Sequence, residues 1–123
     1  MLTGEHSQTA QDFLAASDSE FAAGDILQGS EKLWGAAAHA VMAVAQQRGW
    51  RFGDHRALQA AANRLADELR EPRLAEQFGL AQKFHANFYH DFMQDYEINR
   101  DRPSVHLFVN RVLSLPDMPV VDC

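Results

Sequence analysis

Apolar residues recur at three- and four-residue spacing along nearly the whole chain, and Gly or Pro breaks this pattern every 15 to 25 residues or so. That repeat brings one face of an α-helix to a core and suits nothing else of this length. β-branched alternating runs and Asn-Gly or Asp-Gly hairpin turns are absent from the sequence, so strands are not expected. With 123 residues, 46% of them hydrophobic, the chain supports one packed domain. The reading is all-α: a single-domain antiparallel helical bundle of about five helices over residues 1–123, with 116–123 as an irregular tail.

The first helix is expected over Ser7–Ala23, with Ala10, Phe13, Leu14, Ser17 and Phe21 on one side. Gly24 ends it, and Asp25 caps the second helix, Ile26–Arg48. The second helix buries Leu27, Leu33, Trp34, Ala37, Ala38, Val41, Val44 and Ala45. Its small residues Gly35, Ala36 and Ala43 allow another backbone to come close. Asp54 caps a third helix that runs to Arg70 and buries Leu58, Ala62, Leu65 and Leu69. Glu71-Pro72 opens a fourth, expected to reach Tyr96 with Leu74, Phe78, Ala81, Phe84, Phe88, Phe92 and Tyr96 on one face. So wide an aromatic face predicts a homodimer. The last helix is expected to begin near Pro103, because proline is well suited to a first turn, and to bury Val105, Phe108, Val109, Val112 and Leu113.

Charge and composition remove several function classes. The net charge is −6, and all of it lies before Lys32, where Glu5, Asp12, Asp18, Glu20, Asp25 and Glu31 meet no Lys or Arg. Broad non-specific nucleic-acid binding needs many cations, so at most a local phosphate site is expected. No apolar run is long enough for a membrane span, and the first ten residues do not resemble a signal peptide, so a cytoplasmic protein with no membrane partner is expected. Cys123 is the one cysteine, and His85 and His90 are five apart rather than four, so no metal or other cofactor is expected. His39 is expected to face solvent and His85 to pack at the core edge.

The stretch "NRDRPSVHLFV", Asn99 to Val109, holds the chemistry. If Pro103 opens the last helix, then Arg100, Asp101, His106 and Asn110 converge at a helix N-terminus. Free N–H groups and the helix dipole favour an anion there. Arginine adds a forked phosphate donor, and histidine a proton donor or acceptor near neutral pH. The plainer reading of the same residues is that Asp101 caps, the arginines are solvated and His106 sits at the edge of the core.

The segment "GDILQGSEKLWGAAAHAVMAVAQQRGW", Gly24 to Trp50, resembles the second helix of HEPN-superfamily proteins, and Arg100-Asp101 followed by His106 resembles their Arg-polar-x-His motif at the start of the last long helix. The resemblance covers roughly Thr9 to Leu115. It implies a dimeric, metal-independent, toxin-like ribonuclease with two motifs in one cleft: His106 as acid or base, Arg100 on the phosphate, and Asp101 orienting one of them. Glu31, Asp95 and Asn110 are candidate supporting residues. An RNA substrate and a nucleotidyltransferase or antitoxin partner follow from the same resemblance. Phe108 stands where some of these toxins carry a tyrosine that the partner modifies, so that control is not expected here. The alternative is a non-catalytic HEPN-like interaction module that pairs with a nucleotidyltransferase or another protein.

Overall fold

The computed structural model describes residues 1–117, so most of the expected tail lies outside the described residues. Five α-helices follow one another: α1 (Glu5–Ala22), α2 (Ile26–Arg48), α3 (His55–Leu69), α4 (Arg73–His90) and α5 (Asp95–Leu113). Among the described residues there is no strand, and no helix is long and apolar enough to cross a membrane.

The hub is α2. Its alanine-rich sequence buries twelve residues, and it packs against every other helix. Small residues set how close α1 comes. A Cβ on Gly29 would meet the Phe21 ring at 2.8 Å, and one on Gly35 would meet Phe13 at 3.2 Å. At the same crossing Ser17 donates its hydroxyl to the Gly29 carbonyl at 2.8 Å. The turns between helices follow the expected chemistry. Asp25 accepts from the Gln28 N–H and Asp54 from the Ala57 N–H, and Gly49 takes the left-handed conformation (φ 70°) that closes α2. Phe78, Phe84 and Phe108 are fully buried with Leu33, Leu65, Val41, Val105, Val109 and Val112. At the N-terminus, Leu2 is buried and its N–H donates to the Leu113 carbonyl, which ties the chain start to the end of α5.

Two expectations fail at the α4–α5 boundary. The fourth helix stops at His90, not Tyr96, and the last begins at Asp95, not Pro103. Asn87 is the cause of the first. Its fully buried side chain accepts from the N–H groups of Phe92 (2.9 Å) and Met93 (2.8 Å), and donates to Ser30 Oγ on α2 (3.2 Å). That amide satisfies the backbone where α4 breaks, and Asp91 turns the corner with φ 47°. A capping box then starts α5: Gln94 and Glu97 each hydrogen-bond the other's backbone. Pro103 therefore sits inside α5. It lies on the exposed side, where a lost N–H bond to the Asn99 carbonyl is open to water.

The expected aromatic face divides as a result. Phe78 and Phe84 belong to the core of the single chain, whereas Tyr89, Phe92 and Tyr96 are exposed around the α4–α5 turn. His39 is half-buried rather than solvent-facing; its Nδ1 is 3.0 Å from that of His6 and its ring lies against Phe13. Burial first, and the facing His6 second, push its pKa below the ordinary histidine value.

Asn87→Ala removes an acceptor from two backbone donors, and Met93 is buried, so a loss of about 1–3 kcal/mol is expected. Phe108→Ala, which opens a core cavity, should lose about 3–5 kcal/mol. Urea denaturation followed by far-UV circular dichroism measures both; an Asn87→Ala protein as stable as the wild type would remove this account of the α4–α5 break.

Candidate functional site

Because α5 runs unbroken through Pro103, the angles between its side chains follow from helix geometry. Arg100 and His106 are six residues apart, roughly 240° round the axis, and they do not converge. Neither stands at a helix N-terminus, which corrects the expected anion site. Arg102 and His106, four apart, share a face.

On that face Asp18 of α1 completes a cluster. His106 donates from Nε2 to Asp18 Oδ1 at 2.8 Å, and Arg102 donates from Nη2 to the same oxygen at 2.9 Å. The Arg102 guanidinium also lies 4.2 Å from the centre of the Phe21 ring, which steadies it from the apolar side. Burial would raise the Asp18 pKa; the hydrogen bonds from Arg102 and His106, with their charges, outweigh it and hold the carboxyl below its ordinary 3.8. When the imidazole is neutral, the Asp18 carboxylate keeps its proton on Nε2 and leaves Nδ1 as the acceptor nitrogen. Beside this cluster an open groove of about 580 Å³ runs along α5, lined by Asn99, Arg102, Pro103, His106, Leu107 and Asn110. Asn110 thus stands on the same groove as His106, one helical turn on. Leu107 is 59% exposed in it.

Arg100 and Asp101 form a different unit on another side of α5. Asp101 is buried, with 5% of its side chain exposed, and takes both Nε (2.8 Å) and Nη2 (3.2 Å) of Arg100. Lys83 of α4 donates to Asp101 at 3.1 Å and to Glu97 at 2.7 Å, so the unit ties α4 to α5. Arg100 itself is 60% exposed and rests against the Tyr96 ring. The hydrogen bond from Arg100 is the largest cause that holds the Asp101 carboxyl below 3.8; burial opposes it, and Lys83 adds to the lowering.

The supporting candidates scatter. Asp95 is exposed in the first turn of α5, and Arg100 turns to Asp101 instead of to it. Glu31 accepts from His85 Nδ1 at 2.9 Å, within a cluster where Trp34 touches the His55 and His85 rings. That places it with α4 rather than with the Arg–His motif. Among the described residues no group of three or more His, Cys, Asp or Glu is disposed to hold a metal ion. Two residues of the His106 cluster went unselected in the sequence. Arg102 had a signal, its four-residue spacing to His106; Asp18, on α1, had none.

A carboxyl with a depressed folded-state pKa contributes stability above its unfolded pKa and loses it as pH falls through the folded value. Asp101 is such a group, so Asp101→Asn should cost about 1–3 kcal/mol at neutral pH. The gap to wild type should narrow as pH drops below the ordinary 3.8. Urea melts from neutral pH down to the acid limit of folding measure it; a gap that stays constant with pH would show that Asp101 charge is not what ties α4 to α5.

Comparison with known proteins identifies the fold and the family. A crystal structure of a protein from Sulfolobus solfataricus superposes with a TM-score of 0.76, covering 85% of this chain and 93% of that one at 17% sequence identity. At that identity the likeness concerns the fold alone. No protein with a curated description matches the chain. The family described as the archaeal PaREP1/PaREP8 family matches residues 5–109, the whole span from the start of α1 to the last turn but one of α5, and the chain belongs to that family.

Proposed function

We propose that the chain is a metal-independent, toxin-like endoribonuclease of the HEPN type that works as a homodimer, with His106 rather than Arg100 at the centre of its chemistry. One observation carries the reading: a single carboxylate oxygen of Asp18 orients both His106 and Arg102 on the rim of an open groove. A carboxylate that fixes an imidazole leaves the other ring nitrogen as a base, and a guanidinium beside it answers a phosphate. In this reading Nδ1 of His106 takes the proton of an RNA 2′-hydroxyl. The 2′-oxygen bonds to phosphorus as the P–O5′ bond breaks, giving a 2′,3′-cyclic phosphate and a 5′-hydroxyl. A proton returns to the departing 5′-oxygen from an imidazolium, in the dimer that of the second copy across the shared cleft. Arg102 binds the charge that builds on the phosphoryl oxygens. Arg100, held by Asp101 on another side of α5, does not touch the reacting phosphate in this reading.

A second reading has its own support. Leu107 in the groove and Tyr89, Phe92 and Tyr96 at the α4–α5 turn are exposed, as they would be on an interaction module that pairs with a nucleotidyltransferase or another protein. The homodimer of the first reading would cover the same side chains.

RNA cleavage by purified protein separates the two. His106→Ala should abolish it without unfolding. Arg102→Ala should slow it about 10²–10³-fold, the loss typical of one donor to a developing charge. Arg102→Lys should not restore the rate, because a point charge does not reproduce the fork. EDTA should leave the rate unchanged. Cleavage that survives His106→Ala, or that EDTA stops, removes the ribonuclease and leaves the interaction module. Cleavage that depends on Arg100 and ignores Arg102 would put the phosphate on the wrong arginine here. Light scattering should give twice the 13.8 kDa of one chain, and Leu107→Asp should shift it toward the single mass.

A further inference from the structure

The α2–α3 junction carries a second cationic groove, which the His106 chemistry does not use. From residue 48 to 64 the sequence holds four arginines, Arg48, Arg51, Arg56 and Arg64, against one acid, Asp54. In a chain of net charge −6 this is a local reversal of sign. Gly49 turns the backbone out of α2, and the Trp50 N–H closes back on the Ala45 carbonyl at 2.9 Å, so Trp50 is held at the corner. The Trp50 ring organises two of the cations: Arg64 stands 4.6 Å and Arg48 5.3 Å from its centre. Arg48 goes on to pair with Glu68, while its buried Nε has no hydrogen-bond partner among the described residues.

The other cations are unspent. Arg51 and Arg56 have no hydrogen-bond or ion-pair partner among the described residues, and Arg64 has only the Trp50 ring. The acid on the rim, Asp54, caps α3 through the Ala57 N–H at 2.7 Å and pairs with none of them. The groove between these groups is about 450 Å³, and the small residues Gly49, Ala57, Ala60 and Ala61 line part of it.

We propose that this groove binds a nucleoside phosphate, with Arg51 and Arg56 on the phosphate and the base lying on the alanine surface against the Arg64 guanidinium. Unpaired forked donors match phosphate oxygens. A surface of small apolar residues beside a guanidinium plane suits an unstacked base, which every nucleotide presents. A bare inorganic anion would use the arginines and leave the alanine surface empty; an acidic peptide would match the charge and not offer a base to that surface. The site stands apart from the cleavage chemistry, and its test needs no cleavage.

The His106→Ala protein is titrated into a labelled single-stranded RNA of about 12 nucleotides, within the usual reach of one small binding surface, and anisotropy is read at several salt concentrations. The Arg51→Ala/Arg56→Ala double variant should bind at least about tenfold more weakly, and its salt slope should fall by about 1.4 for two lost contacts on a single strand. Arg73→Ala, an exposed arginine at the start of α4, should bind as the parent does, and melting curves should show all three proteins folded alike. Calorimetry with 5′-AMP decides the source. If 5′-AMP binds the parent and not the double variant, the ligand is a free nucleotide; if only the strand does so, it is a nucleotide within RNA. The proposal is overturned if the double variant binds like its parent, if neither RNA nor 5′-AMP binds, if inorganic phosphate competes as well as 5′-AMP, or if poly-glutamate of equal charge binds as tightly as the strand. None of these outcomes bears on whether His106 cleaves.

Discussion

The functional geometry of this molecule hangs on α5 being one helix from Asp95 to Leu113. Proline in a helix interior removes one backbone bond and crowds the carbonyl four residues back, at about 3 kcal/mol or more. The helix survives Pro103 because both of its ends are otherwise anchored. The Gln94–Glu97 capping box fixes its start, and Val105, Phe108, Val109, Val112 and Leu113 bury its second half. Once the helix is continuous, Arg102 and His106 must face α1 together, and Asp101 must face α4. A helix that began at Pro103 would have left Arg100 and Asp101 on a mobile approach, free to swing toward His106. The continuous one separates them into a tie to α4 and a groove cluster with different partners.

Most of the fold was legible in the sequence because the signals were local. Asp25, Gly49 and Asp54 act within four residues of where they stand, and the helices they delimit fall where periodicity puts them. The α4–α5 break was not legible, for two physical reasons. The aromatic spacing of Phe84, Phe88, Phe92 and Tyr96 continues a helical pattern across a point where the backbone does not. What stops the backbone is the Asn87 amide, and that amide is positioned by Ser30 of α2, fifty-seven residues earlier. A side chain that caps through a tertiary contact leaves no mark in the local pattern. Pro103 also offered a strong local start signal, and the Gln94–Glu97 capping box, nine to six residues before it, prevailed.

The site divides in the same way. That His106 and Asn110 share a side of the last helix was legible, since their four-residue spacing fixes their common face. Arg102 was legible in principle by the same rule, but the motif spacing drew attention to Arg100. Asp18 was not legible at all. Its role depends on α1 lying along α2 closely enough to reach α5, and that closeness comes from Gly29 and Gly35 beneath the Phe21 and Phe13 rings. A cavity-sensitive packing detail between two helices thus decides which acid meets the histidine on a third.

The acidic front of the chain reads differently in this light. Asp18 is one of the six acids before Lys32 with no cation near it in sequence, yet in space it accepts from Arg102 and His106. Glu20 likewise meets Lys32, and Glu31 meets His85. The charge asymmetry is therefore partly a device of the fold: acids from α1 and α2 are delivered to basic side chains and histidines on later helices. It has a cost for binding. A phosphate at the His106 groove must compete with Asp18 for Arg102, so the cluster is well placed to orient reacting groups and poorly placed to hold a strand by charge. Around Trp50 the balance is the reverse: Arg48 pairs with Glu68, but Arg51, Arg56 and Arg64 pair with no acid among the described residues. If both proposals hold, grip and chemistry are separated on this surface, and a strand bound at the Trp50 groove reaches His106 only by spanning from one to the other.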